Sequence, residues 1–202
     1  GNDIRIVIDM DEVMAQFVAK VLRRWNALSG KNFTRDDITS WRMEEVLGAD
    51  HLGRTAEGLI DEWLAEDGFF EDLDPVPGAI EAVNKMRAHG YDVVFATSIP
   101  EVAVHSYTGK RRWLRKYFPD MSMKDMVAIS RKGLMDGDVL IDDGPHNIIE
   151  WMTPMRHNRI AIVFDAPWNR HVDGSGIYRA KTWSDVLARI SSEYQKRLNP
   201  YW

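Results

Sequence analysis

Ile4-Arg5-Ile6-Val7-Ile8-Asp9-Met10-Asp11-Glu12-Val13 decides the fold: an apolar run that stops on two carboxylates one residue apart. Parallel strands buried on both faces read as such runs and present their ligand sites at their carboxyl ends. Side chains alternate along an extended segment, so Asp9 and Asp11 share a face. Two carboxylates held side by side repel unless a proton or a cation sits between them, which predicts either a raised pKa or a hard divalent metal. The same arrangement recurs where Val93 to Ala96 run into Thr97-Ser98, and where Val139 to Ile141 run into Asp142-Asp143, with Lys132 ahead of the last pair. Singly, each string reads as solvated turn residues. Together, in order and each tied to a strand-like run, they describe one crevice that handles phosphate. The second acidic pair tips the choice toward metal. An oxygen-rich site in a chain with no cysteine and no closely spaced histidines suits Mg²⁺.

The rest of the chain reads as strands alternating with helices, which implies a parallel sheet. Apolar residues from Val13 to Trp25 recur with helical spacing and Ser29-Gly30 ends that helix. Residues 31 to 74 read as short helical pieces with many charges and scattered aromatics. Pro75-Val76-Pro77-Gly78 then leads into a helix over Ala79 to Ala88, closed by His89-Gly90. Lys110 to Phe118 reads as a helix, and Val127 to Ile129 and Ile160 to Phe164 as strands. Ser184 is the expected cap of a last helix with Val186, Leu187, Ile190, Tyr194 and Leu198 on its apolar face. The expected architecture is α/β: a doubly wound, Rossmann-like parallel-sheet core of residues 1–16 and 78–202, with a small α-helical insertion, 17–77, lying over the crevice as a cap.

Asp9-Met10-Asp11-Glu12-Val13, Thr97-Ser98, Lys132 and Leu140-Ile141-Asp142-Asp143 resemble the four ordered motifs of the haloacid-dehalogenase-like phosphatases. Within that superfamily the chain is similar to the 5'(3')-deoxyribonucleotidases. The similarity rests on Asp-Met-Asp-x-Val, Phe69-Phe70 with Pro75-Val76-Pro77-Gly78-Ala79, Thr97-Ser98, and Ser130-Arg131 before the acidic pair. It runs from about Ile4 to Asp143, and Phe164-Asp165-Ala166-Pro167-Trp168-Asn169 resembles bacterial and phage members. Glu12 stands where many relatives have glycine.

The resemblance implies a Mg²⁺-dependent phosphomonoesterase that acts on nucleoside or deoxynucleoside monophosphates. Asp9 would be the nucleophile and form an aspartyl-phosphate, and Asp11 would serve as general acid and then base. Asp9, the backbone carbonyl of Asp11, Asp142 and Asp143 would hold the metal. Thr97 and Ser98 would bind phosphoryl oxygens and Lys132 would neutralise them. Trp41 falls where related nucleotidases place aromatics against the base, and many relatives of this kind pair, which leaves a homodimer open. Two alternatives stay open: a phosphatase for another small metabolite, and a non-catalytic phosphate-binding protein.

Other features are assigned bland roles. The basic run Lys110-Arg111-Arg112 with Arg115-Lys116 reads as a solvated helix face. Trp63 and Phe69 read as packing, His146 as an ordinary hydrogen-bonding residue near the crevice, and Asp165 and Asn169 as residues of its rim. A net charge of -5 argues against nucleic-acid polymers as partners. The sequence contains neither a bilayer-length apolar stretch nor an export signal, so the expected location is cytoplasmic and off the membrane.

Overall fold

The computed structural model describes residues 4–153 and 159–198, with side chains to residue 194. Strand β1 (Arg5–Ile8) is followed by α1 (Phe17–Ser29), α2 (Met43–Leu47), α3 (Ala56–Leu64) and α4 (Ala79–Ala88). Then come β2 (Asp92–Thr97), α5 (Ser106–Tyr117), β3 (Met126–Ala128), β4 (Val139–Asp142), α6 (Pro145–Met152), β5 (Ile160–Phe164), β6 (Ile177–Ala180) and α7 (Trp183–Leu198). The six strands form one sheet in the order β3-β2-β1-β4-β5-β6, and every pairing is parallel. This is the doubly wound α/β sheet expected from the apolar runs.

The order reverses at β1, whose neighbours β2 and β4 lead to opposite edges. Such a switch point opens a crevice beyond the carboxyl ends of the strands. Register sets what meets there. Ile8 pairs with Phe95 on one side and Ile141 on the other, so Asp9 and Asp142 are next-in-line residues on adjacent strands. Alternation explains why both faces are buried: Ile6 and Ile8 pack in one apolar cluster while Val7 packs in a second with Leu140, Ile148, Trp151 and Val163. The first cluster is continuous from the sheet into the inserted residues, joining Ile6, Ile8 and Trp183 to Trp25, Ile60, Leu64 and Phe69.

Several boundaries differ from the expectation for local reasons. Residues 13–16 do not begin the first helix. The amides of Met14 and Ala15 both donate to the Met10 carbonyl, closing a tight turn that buries Val13 and Met14, and α1 starts at Phe17. That helix ends as expected at Gly30, which is left-handed at φ 72°. Helix α5 begins four residues earlier than its apolar pattern suggested. Thr182, not Ser184, caps α7: its hydroxyl accepts from the Asp185 amide at 3.2 Å, and the Asp185 carboxylate accepts from the Thr182 amide at 3.2 Å. The Leu198 side chain, expected on the apolar face of α7, lies outside the described side chains. Strand β6 and helix α6 carried no expectation. Among the described residues, no helix is long and apolar enough to cross a membrane.

Candidate active site

The switch point gathers Asp9, Lys132, Asp142 and Asp143, all buried. Lys132 Nζ donates to Asp9 Oδ1 and to Asp142 Oδ2, each at 2.7 Å. Lys132 reaches this depth from a single helical turn, Lys132–Leu134. Gly133 makes that possible: a Cβ there would stand 2.8 Å from the Glu150 side chain and 2.9 Å from its carbonyl oxygen, so only glycine lets the turn abut α6. Asp142 Oδ1 is fixed by the Gly144 amide at 2.8 Å and by Asn147 Nδ2 at 3.2 Å. Asp143 Oδ2 accepts from Trp168 Nε1 at 3.1 Å, while the buried Asp143 Oδ1 has no hydrogen-bond partner among the described residues.

Burial, and then the neighbouring charge of Asp142, push the Asp9 carboxyl up to about 6, against the pull of Lys132. The same two causes, burial first and then the charge of Asp9, hold the Asp143 carboxyl well above the ordinary range. Lys132 is held upward, because the charges of Asp142 and Asp9 outweigh the cost of its burial. With all groups ionised, three carboxylates face one ammonium, which leaves two negative charges.

A divalent cation fits this donor set. Oxygens of Asp9, Asp142 and Asp143 lie within 4.8 Å of one another. All are hard oxygen donors, and Asp143 Oδ1 supplies a lone pair that no hydrogen bond among the described residues uses. The Asp11 carboxylate is not part of that group of oxygens; its Oδ2 accepts instead from Lys110 Nζ at 3.1 Å.

Lys110 is the main correction to the sequence reading. It does not belong to a solvated face but is buried on α5, donating to Thr97 Oγ1 at 2.8 Å and the Ser98 carbonyl at 3.1 Å as well as to Asp11. Its ammonium also lies 4.7 Å from the Phe70 ring centroid. The Thr97 hydroxyl is therefore engaged by Lys110, and the Ser98 hydroxyl pairs with that of Ser130 at 3.0 Å.

Asp9, Asp11, Ser98, Ser130, Lys132 and Asp143 line a cavity of about 560 Å³. Ile38, Trp41, Arg42, Met43, Ile60 and Leu64 line it as well. Trp41 is 47% exposed and meets His146 edge-on, with ring centroids 4.8 Å apart. Burial lowers the pKa of His146. Phe69 is buried and Trp63 packs partly buried against the main cluster. Asn169 is wholly buried and donates to the carbonyls of Asp143 at 3.0 Å and Phe164 at 2.8 Å, so it props the acidic pair from behind.

The sequence pattern that describes the 5' nucleotidase, deoxy (Pyrimidine), cytosolic type C proteins matches residues 2–195. The chain belongs to that family. A Staphylococcus epidermidis protein assigned as a 5'(3')-deoxyribonucleotidase is 34% identical over 188 residues, spanning 93% of this chain and 96% of its own. The human mitochondrial 5'(3')-deoxyribonucleotidase is 30% identical over 175 residues, spanning 85% of this chain and 75% of its own. In fold, the chain is similar to a haloacid dehalogenase-like family hydrolase of Xanthomonas campestris, with TM-score 0.56, 14% identity and 96% and 97% of the two chains covered. It is also similar to a haloacid dehalogenase-like hydrolase of Deinococcus radiodurans solved with bound phosphate and sodium, at TM-score 0.55, 13% identity and 95% and 96% coverage. This member of the deoxyribonucleotidase family is a phosphoric monoester hydrolase on a haloacid-dehalogenase-like fold.

Sequence reasoning missed Lys110 and Trp168 at the site of this nucleotidase relative. For Lys110 a signal existed, because it follows Thr97 by thirteen residues on a helix leaving the same crevice. For Trp168 the signal was the Trp168-Asn169 pair in the loop that follows the buried strand β5.

Proposed function

We propose that this nucleotidase-family protein hydrolyses nucleoside or deoxynucleoside monophosphates with Mg²⁺ through an aspartyl-phosphate on Asp9. The observation that carries this reading is the Asp9 carboxylate at the floor of a nucleotide-sized cavity, with Lys132 at 2.7 Å and the oxygens of Asp142 and Asp143 within 4.8 Å. A dication held by side-chain oxygens of Asp9, Asp142 and Asp143 and the carbonyl of Asp11 would offset the phosphate's roughly two negative charges at neutral pH.

In this reading, an oxygen of Asp9 attacks phosphorus as the bond from phosphorus to the nucleoside oxygen breaks. Asp11 gives the departing oxygen a proton and later takes one from the water that attacks the aspartyl-phosphate, which restores Asp9 and frees phosphate. Lys110 orients the Asp11 carboxylate between these events. Lys132 balances charge on the equatorial oxygens, and Ser98, Ser130 and nearby amides bind them. Residues 17–77 act as a cap over residues 1–16 and 78–202, excluding water once substrate is in place. Trp41 stacks on the base from that cap. A cytoplasmic location, among soluble mononucleotides, belongs to the same reading.

A panel of monophosphates assayed for phosphate release, with Mg²⁺ and with chelator, tests it. We expect release from nucleotides, loss with chelator, and lower kcat/KM for a small aryl phosphate that lacks a base to stack. Turnover of sugar phosphates alone would point to a different metabolite, and no turnover at all to a binding protein. Asp9→Asn should abolish turnover without unfolding the chain; a near-normal rate in that variant rules out the covalent step.

A further inference from the structure

Glu12 is the one non-glycine residue with positive φ among the described residues, at 67°. A side chain in that conformation crowds its own backbone, so something must offset the strain. Its carboxylate is buried and used at both oxygens. Oε1 accepts the Val18 amide at 2.6 Å, at the start of α1, where Gln16 offers no side-chain cap. Oε2 accepts Nε of Arg35 at 3.0 Å.

Arg35 belongs to the inserted segment yet reaches across to the other wall of the site. One terminal nitrogen lies 3.4 Å from the Asp165 carbonyl, and the guanidinium carbon is 5.0 Å from the Trp168 ring centroid. The Trp168 indole N–H is what holds Asp143 Oδ2, leaving the lone pairs of Oδ1, unpaired among the described residues, to face a cation. A continuous path therefore runs from the residue beside Asp11, through the insertion, to an oxygen of the acidic group. Arg35 faces Glu12 and the Asp165 carbonyl, and its stacking surface is Trp168.

We propose that Glu12 and Arg35 are positioning residues: their ion pair seats the inserted segment on the Trp168 wall and so fixes Asp143 for the cation. This rests on the phosphatase reading above. Partners that orient a metal ligand act through the ligand, so their loss weakens metal affinity without removing a ligand. A role confined to folding would lower thermal stability and leave cation affinity alone.

The test uses the full chain with Arg35→Met, Glu12→Gln, the double variant and Trp168→Phe, comparing Mg²⁺ affinity by calorimetry, melting temperature, and kcat and KM for a deoxynucleoside monophosphate. Each single change should weaken Mg²⁺ binding by about tenfold, in line with the usual effect of losing an outer partner of a metal ligand. The double variant should be no weaker than either of its parents, because both break one path. Arg35→Lys should recover only part of the affinity, since it keeps the charge and loses the planar stack. Mg²⁺ affinity within twofold of wild type in Arg35→Met, or additive losses in the double variant, overturns the proposal. Arg35 has a side chain 39% exposed, so its variants keep the test available if Glu12→Gln does not fold. Wild-type protein that binds Mg²⁺ but releases no phosphate overturns the phosphatase reading alone, because the calorimetric comparison still decides the positioning role of Glu12 and Arg35; wild-type protein that binds no Mg²⁺ overturns both.

Discussion

Lys110 and Asp9 show how burial turns ordinary residues into a site. Lys110 sits in a basic run that composition marks as surface, yet three acceptors from two segments, Asp11 and the adjacent Thr97-Ser98, converge on its ammonium. Lys110→Met would leave the Asp11 carboxylate without its cation and the Thr97 hydroxyl without its donor. If Asp11 handles the proton, kcat should drop by about 10²-fold, the low end for general acid-base work, with a smaller change in KM. A KM effect alone would make Lys110 a substrate-binding residue instead. For Asp9, the carboxyl raised to about 6 by burial and by Asp142 has a consequence with a definite sign. A proton on Asp9 competes with a cation, so affinity should rise with pH through about 6. Asp143, whose carboxyl burial and the charge of Asp9 also raise, adds to the trend. Calorimetric titration with Mg²⁺ should show affinity falling up to about tenfold per pH unit below 6 for each proton displaced. A flat profile from pH 5 to 8 would mean that the cation does not bind these carboxylates.

Elements were legible where their apolar signal was strong and were lost where the signal was shared. Strands β1, β2, β4 and β5 are buried along nearly their whole length and read directly from the sequence. Strand β6 lies at the sheet edge with Ile177 and Tyr178 half-buried and Arg179 exposed, so it showed no apolar run. The turn at residues 10–15 defeated helical periodicity because Val13 and Met14 are apolar for the sake of the turn's own burial. Glu12 could not be read at all: its use depends on Arg35, which is distant in sequence. Helix α1 carries a second hidden tie, since the buried Lys20 on its polar side donates to the Phe69 carbonyl at 2.7 Å and to Asp72 at 2.6 Å. Lys20's hydrogen bond holds the Asp72 carboxyl below the ordinary carboxylate range, partly opposed by burial. A depressed folded-state value means stability present above the unfolded value of about 4 and lost as pH falls through the folded one. The Asp72 side chain is 73% exposed, so the pair ranks with surface ion pairs at about 0.5 kcal/mol. Asp72→Asn should therefore lower the melting temperature by about 1–2 °C at pH 7. That deficit should close as pH drops toward 2. A deficit that persists undiminished in acid would trace to packing rather than charge.

At the scale of the whole molecule, residues 17–77 and the sheet share one packed interior. One apolar cluster runs from β1 and α7 into α1 and α3, so the inserted residues have no apolar interior of their own to melt around. Trp183 joins the halves of the chain most directly. It is buried at the start of α7, stacks obliquely on Phe164, and donates its indole N–H to the Val13 carbonyl at 2.9 Å, inside the turn that follows Asp11. The last helix thus braces the loop that carries the acidic motif. Trp183→Phe keeps most of the ring and leaves that buried carbonyl unpaired, a change that costs about 1–3 kcal/mol. For a chain of this length the melting temperature should fall by about 2–4 °C per kcal/mol lost. Because the cluster is continuous, tryptophan fluorescence and far-ultraviolet circular dichroism should report one coincident transition in both the variant and the wild type. An early fluorescence step that precedes loss of helix would show the insertion melting alone, and would make the cap an independently folding unit rather than an extension of the core.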